Sequence, residues 1–234
     1  MQGCYNAPPL SRLPEPALTA TPSPPASPPA TTSAPPSLPA APASDVFGVV
    51  LAGGLGRRMG GADKGLLPWQ GTPLARHIAA RLAGQVGAVA INANRNADTY
   101  ATFGYPLLPD RLPDFPGPLA GFHAALAASP LPLVMLVPCD SPDFPADLVA
   151  RLREALLASD AEVAVARADG RRHSVFCLCR RELAADLAAF LAAGERKVGL
   201  WQDGRRLVQV EFTAPEAFRN CNSREDLDPA SGPN

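Results

Sequence analysis

The apolar run Val46–Ala52 opens into a glycine cluster, Gly53, Gly54, Gly56, Gly60 and Gly61, with Arg57, Arg58 and Lys64 set among those glycines. A short apolar run that stops at glycines reads as a buried strand entering a tight loop. Without a Cβ, glycine lets backbone N–H groups converge on an anion, and successive N–H groups form an anion-binding concavity. The arginines and the lysine add the charge that several phosphate oxygens require. Together these features point to a nucleoside triphosphate held by its phosphates. Two familiar phosphate loops do not fit. A P-loop requires Ser or Thr after its lysine, and here Gly65 follows Lys64. The dinucleotide fingerprint closes on Gly or Ala, and Met59 stands at that position after Gly54 and Gly56. A merely flexible Gly/Arg loop is the plain alternative. Its place directly after a strand, with both ingredients of anion binding, argues against it.

Composition divides the 234 residues sharply. Residues 1–44 hold nearly half of the 28 prolines, with Arg12 and Glu15 their only charged side chains. That stretch has no helical or strand period and too little apolar surface to offset the entropy of ordering, so it is expected to be a disordered tail. A linker role is the expectation, with an SH3-like partner as the alternative. The folded domain is expected over 45–234, ample for a single α/β core. Proline interrupts every candidate for the apolar core of a secretory leader. No apolar run approaches the roughly 18 residues of a membrane span. A net charge of −1 argues against nucleic acid as the main partner. The cysteines (Cys4, Cys139, Cys177, Cys179, Cys221) are odd in number and form no C-x-x-C pair. Reduced thiols in the cytoplasm, with no cysteine metal site, are the expectation.

After residue 45 strand-like and helix-like patterns alternate. Val46–Ala52, Ala88–Asn92, Tyr105–Leu108 and Leu131–Val137 read as strands, the last an almost continuous apolar run suited to a central parallel position. Ala161–Ala166 and Ser174–Cys179 are strands separated by a turn at Asp169-Gly170, and Val208–Phe212 is a late strand. Helices are expected over Leu74–Leu82, opened by Pro73, and over Pro118–Ala128, Pro145–Ser159 and Arg181–Ala193, the last ended by Gly194. This alternation predicts an α/β fold: one doubly wound, mostly parallel sheet with helices on both faces. Ligands in such sheets bind at the carboxyl ends of the strands. Asp140 follows the most apolar strand, where a carboxylate is costly unless a cation or donor meets it; a turn or cap role is the alternative.

The string Leu51-Ala-Gly-Gly-Leu-Gly-Arg-Arg-Met-Gly-Gly-Ala-Asp-Lys-Gly-Leu66 resembles the signature loop of the molybdenum cofactor guanylyltransferases, nucleotidyltransferases of Rossmann-like fold. Asn92-Ala-Asn-Arg95, Pro116-Gly-Pro-Leu-Ala-Gly121 and Pro138-Cys-Asp-Ser-Pro142 agree in the same order, as do Gly194-Glu-Arg-Lys-Val198 and Asn220-Cys-Asn-Ser-Arg-Glu-Asp-Leu227. The resemblance spans 45–227. It implies GTP and molybdenum-molybdopterin as substrates, Mg²⁺ as cofactor, and molybdenum-insertion proteins and molybdoenzyme chaperones as partners.

The resemblance also implies site residues. Asp140 matches the Mg²⁺-binding aspartate. Leu51, Ala52 and Gly53 supply backbone to the base and ribose, and Asn92 and Asp110 match nucleotide-contacting positions. Asn94 as a turn former and Asp110 in a surface ion pair are the alternatives. Lys64 and Arg57 are candidate catalytic cations, with Arg58 beside them, neutralising a triphosphate that leaves as pyrophosphate. His77 and His123 lie in expected helices and read as structural, whereas His173 falls where the family places its second substrate. Asn222 is a candidate polar group for metal or substrate, Asp143 reads as a turn residue, and Glu195-Arg196-Lys197 as a pterin contact or a solvated turn. Ala52-Gly53-Gly54 and Ala62-Asp63-Lys64 favour guanine over the sister enzymes that use CTP. Other small-molecule phosphate nucleotidyltransferases and an inactive GTP-binding regulator are the remaining alternatives.

Overall fold

A computed structural model of the chain describes residues 42–53, 63–112 and 117–221. The first strand, β1 (Ala43–Leu51), is followed by a small hairpin of β2 (Pro68–Trp69) and β3 (Thr72–Pro73). Then come α1 (Leu74–Ala83), β4 (Val86–Asn92), α2 (Ala97–Ala101), β5 (Leu107–Leu108), α3 (Pro118–Ala128) and β6 (Leu133–Pro138). The second half holds α4 (Leu148–Ala158), β7 (Val163–Ala168), β8 (Arg171–Arg180), α5 (Ala184–Ala192), α6 (Val198–Asp203) and β9 (Leu207–Phe212).

The main sheet has seven strands in the order β5-β4-β1-β6-β8-β7-β9. All pairings are parallel except the two made by β8, which runs against β6 and β7. The β7–β8 reversal is the expected turn at Asp169-Gly170, both with positive φ (48° and 68°), the backbone that a tight hairpin requires. The fold is the expected α/β arrangement with helices on both faces. Alternation along β1 explains why: Val46 and Val50 face one layer with α1 and α4, while Phe47 and Val49 face the other with α3, α5 and α6. Residue 48 between them is glycine because α1 lies so close there; a Cβ would come 2.7 Å from Leu82 Cδ2.

Several boundaries differ from the sequence expectation. β1 starts at Ala43, whose N–H donates to Gln85 O at 2.9 Å, so the folded chain begins ahead of residue 45. Asp45 sits in this strand because Arg153 grips its carboxylate with bonds of 2.8, 3.1 and 2.8 Å. β6 starts at Leu133, since Ser129 Oγ ties the preceding turn to Leu131 and Pro132 has no N–H to offer the ladder. Pro73 ends β3 and stands one residue before the helix it was expected to open. The β2–β3 hairpin, α2 and α6 are too short for periodicity to reveal. No helix among the described residues is long and apolar enough to cross a membrane.

The Gly48 packing yields a direct test. Gly48→Ala places a methyl against fully buried Leu82 in a closed core. Overpacking of this kind costs about 1–3 kcal/mol. The expected result is a lower denaturant midpoint with an unchanged slope, and an unchanged midpoint would show that Leu82 has room to move.

Candidate active site

The connection from β1 runs to β4 on one side, and the chain later crosses back to place β6 on the other. The crevice between β1 and β6 is therefore the topological switch point, where open α/β sheets bind ligands. Register brings the strand ends level: Leu51 pairs with Asn92 in β4 and with Pro138 in β6. Ala52 N donates to Asn92 O at 2.8 Å and Cys139 N to Leu51 O at 3.2 Å, extending the ladder one step past the strands. Leu51, Ala52, Gly53, Asn92 and Asp140 thus share one rim.

Lys64 opens a 3-10 turn (Lys64–Leu66). Its Nζ donates to Asp140 Oδ2 at 3.4 Å, with the side chains 26% and 18% exposed. Those exposures place the pair at the mouth of the crevice, reachable by a ligand and only partly shielded from water. Among the described residues the Asp140 carboxylate accepts a hydrogen bond from Lys64 alone. The loop that carries it is pinned from the C-terminal side: Cys221 N donates to Asp140 O at 2.7 Å and Ser141 Oγ to Asn220 Oδ1 at 2.9 Å. Desolvation and the neighbouring Asp140 charge push the Cys139 thiol up to about 12, so it is not a thiolate nucleophile at neutral pH.

The other end of the rim is a knot of amides around Asp110. Asn92 Nδ2 donates to Asp110 Oδ1 at 2.9 Å and to Leu108 O at 2.9 Å. Asn94 Nδ2 donates to Asp110 Oδ2 at 2.7 Å, and Asp110 N donates back to Asn94 Oδ1 at 2.8 Å. Asp110 is therefore held by side-chain amides, and no ion pair to it occurs among the described residues. Two glycines make room for this knot. A Cβ at Gly53 would come 2.9 Å from Asn94 Nδ2 and 3.1 Å from Asn92 Oδ1, and one at Gly121 would collide with Asn92 Oδ1.

Of the remaining candidates, Arg57, Arg58 and Asn222 lie outside the described residues, as do Gly54, Gly56, Gly60 and Gly61. His77 and His123 sit in α1 and α3, each with one buried ring nitrogen that has no hydrogen-bond partner among the described residues. His173 stacks on Phe218 at 4.7 Å between ring centres, beside Phe176. Burial, then the nearby Arg171 charge, hold His173 below the usual histidine range, so it is neutral at pH 7. Phe218 precedes the Asn220–Cys221 segment that pins the Asp140 loop. Asp143 offers its carbonyl to Arg81 Nη2 at 3.5 Å. Arg196 bonds to Leu191 O and Glu195 O and so closes the end of α5. No group of three or more His, Cys, Asp or Glu that could hold a metal ion occurs among the described residues. The bracing roles of Asn94, Asn220 and Asp63 were not visible beforehand, because each depends on a partner distant in sequence.

A doubly wound sheet with glycines, a lysine and a carboxylate at its switch point defines a nucleotide-handling transferase of the α/β class. Residues 48–209 match the family model described as a MobA-like NTP transferase domain, and the chain belongs to that family. It is 50% identical over 193 residues to the molybdenum cofactor guanylyltransferase of Methylibium petroleiphilum, covering 79% of this chain and 95% of that protein. The molybdenum cofactor guanylyltransferase of Bordetella pertussis is 47% identical over 188 residues, covering 79% and 95%. The fold is shared with the crystal structure of molybdopterin-guanine dinucleotide biosynthesis protein A from Archaeoglobus fulgidus, at a TM-score of 0.65 and 18% identity over 77% of this chain and 94% of that one.

The Asp110 knot is open to measurement. Asn92 is 2% exposed, and Asn92→Ala takes the amide donor from Asp110 Oδ1 while the Leu108 carbonyl keeps Ala93 N at 3.3 Å. One such lost partner costs about 1–3 kcal/mol. A fall of that size in unfolding free energy is expected by denaturant titration, and a change below about 0.5 kcal/mol would mean that water replaces the amide.

Proposed function

We infer that the protein is a guanylyltransferase of molybdenum cofactor biosynthesis. The terminal phosphate of molybdopterin, carrying molybdenum or tungsten, attacks the α-phosphorus of GTP in line and displaces pyrophosphate. The observation that carries this reading is the meeting of Lys64 and Asp140 at the β1–β6 crevice in a chain about half identical to named guanylyltransferases over most of its length. The rival readings, transfer from CTP and an inactive regulator, lack that support.

An anionic phosphate oxygen is already a nucleophile, so the reaction asks for positioning and charge neutralisation more than for a protein base. Lys64 supplies a positive charge to the triphosphate as charge moves onto the pyrophosphate, with Arg57 assigned the same task. The backbone of Leu51, Ala52 and Gly53 borders the base and ribose. Guanine presents adjacent N–H donors on one edge, and Asn92 Oδ1, turned toward Gly53 and Gly121, and Asp110 are acceptors in that region. Asp140 fits a hard divalent cation: it is a half-buried carboxylate engaged among the described residues by a lysine alone, and Mg²⁺ typically takes one or two carboxylates with phosphate oxygens and water. When bound, Mg²⁺ neutralises phosphate charge. A cytoplasmic location, where cysteines stay reduced, is part of this proposal. Hand-over to molybdenum-insertion proteins or molybdoenzyme chaperones belongs to the same reading.

Pyrophosphate release measured with each nucleoside triphosphate, with and without molybdopterin, tests the assignment. Release is expected to require molybdopterin and to favour GTP over CTP by at least about tenfold, the discrimination that one mispaired buried group supplies. Equal or better use of CTP would overturn the guanine assignment. In the same assay Asp140→Asn is expected to lower turnover by about 10²-fold or more with the thermal midpoint retained. Turnover like that of the unmodified enzyme at saturating Mg²⁺ would remove Asp140 from the reaction.

A further inference from the structure

The carboxylate of Asp63, directly before Lys64, collects donors from well separated parts of the chain. Tyr100 Oη donates to Asp63 Oδ1 at 2.7 Å, Asn96 Nδ2 to Oδ2 at 2.9 Å, and Gly65 N to Oδ1 at 3.2 Å. Asn96 and Tyr100 are the two ends of one helical turn. Asn96 stands before α2 with φ 54°, and its carbonyl accepts from Thr99 N at 3.0 Å and Tyr100 N at 3.1 Å. The Tyr100 side chain is fully buried, with its ring edge-on to Phe103 at 5.5 Å. A hydroxyl in such surroundings needs a partner, and Asp63 is the acceptor it meets. Burial, then the bond to Asp63, push the phenol well up, so it stays a donor throughout the working range of pH.

The turn that begins at Lys64 rests directly on this pair. A Cβ at Gly65 would collide with Tyr100 Oη and come 3.1 Å from Ala75 Cβ. Leu67 N donates to Lys64 O at 3.1 Å, which closes the turn from the other side. By contrast, the Lys64–Asp140 contact is long at 3.4 Å and partly solvated. An ion pair of that kind is worth at most about 1 kcal/mol and cannot by itself place a side chain with a flexible four-carbon stem. The backbone at this lysine is held through Asp63.

We propose that Tyr100 and Asn96 are positioning residues for the transfer reaction: gripping Asp63 from α2, they hold the backbone from which Lys64 reaches the triphosphate and Asp140. This rests on the reading of Lys64 as the cation that meets the triphosphate. Tyr100 is fully buried and reaches the site only through Asp63. Misplacement of a reacting group by about 1 Å can cost up to about 10²-fold in rate, so loss of one of several anchors should cost about tenfold.

A kinetic cycle tests this. Tyr100→Phe deletes the hydroxyl and keeps the ring, and Asn96→Gly deletes the amide while tolerating the left-handed backbone. Each is expected to lower kcat about tenfold, with KM for molybdopterin within about twofold and the thermal midpoint within about 5 °C. The same changes made in Lys64→Ala should lower its residual turnover by less than about twofold. Full turnover in both single variants overturns the proposal. So does an undiminished tenfold loss in the Lys64→Ala background, which would mean that the pair acts through the fold at large. Unimpaired turnover of Lys64→Ala by itself would instead sink the reading of Lys64 on which the proposal rests.

Discussion

Leu51 is paired with Asn92 on one side and with Pro138 on the other, and the site depends on that parallel register. The period of a strand is two residues, so a slip of one would turn each side chain to the opposite face of the sheet. Val46 and Val50 would then face the layer of α3, and Phe47 and Val49 that of α1, leaving both cores unpacked. Burial on two faces is what makes the register single-valued. Because the strands are parallel, their carboxyl ends lie side by side, and the loops that follow them are held within reach of one ligand.

What the sheet aligns, short polar networks then orient. Asp110 is gripped by Asn92 and Asn94, Asp63 by Asn96 and Tyr100, and the Asp140 loop by Asn220 and Cys221. In each case a group near the crevice is tied to a neighbouring segment by uncharged donors. Bonds to a carboxylate from amides, hydroxyls and backbone N–H groups fix its direction while preserving its negative charge, whereas an arginine partner would cancel that charge. The distinction is visible in this molecule. Asp45, Asp186 and Asp203 are paired with Arg153, Arg205 and Arg172, and Asp140 with Lys64, while Asp63 and Asp110 are held by neutral donors.

The strands and the longer helices were legible in the sequence because the information they need is local. Pro118–Ala128 emerged with both ends as expected, since Pro130 bounds an apolar stretch. Asp169-Gly170 announced its hairpin for the same reason, as few residue pairs accept positive φ at both positions. Ends were misplaced where a tertiary partner decides. Asp45 extends β1 because Arg153, from α4, neutralises it, and no pattern within residues 40–50 carries that fact.

The sequence by itself determined the α/β class, the end of the first strand at its glycines, and Asp140 at the mouth of the most apolar strand. Those follow from backbone freedom and apolar periodicity, properties of residues close together in the chain. Only the tertiary structure decided that β8 lies antiparallel beside β6, that Asp110 is held by amides rather than by arginine, and that Tyr100 reaches across to Asp63. The physical reason is one of range. A hydrogen bond is satisfied by whichever donor the folded chain brings within about 3 Å, and that choice is made by crossovers and packing rather than by neighbouring residues.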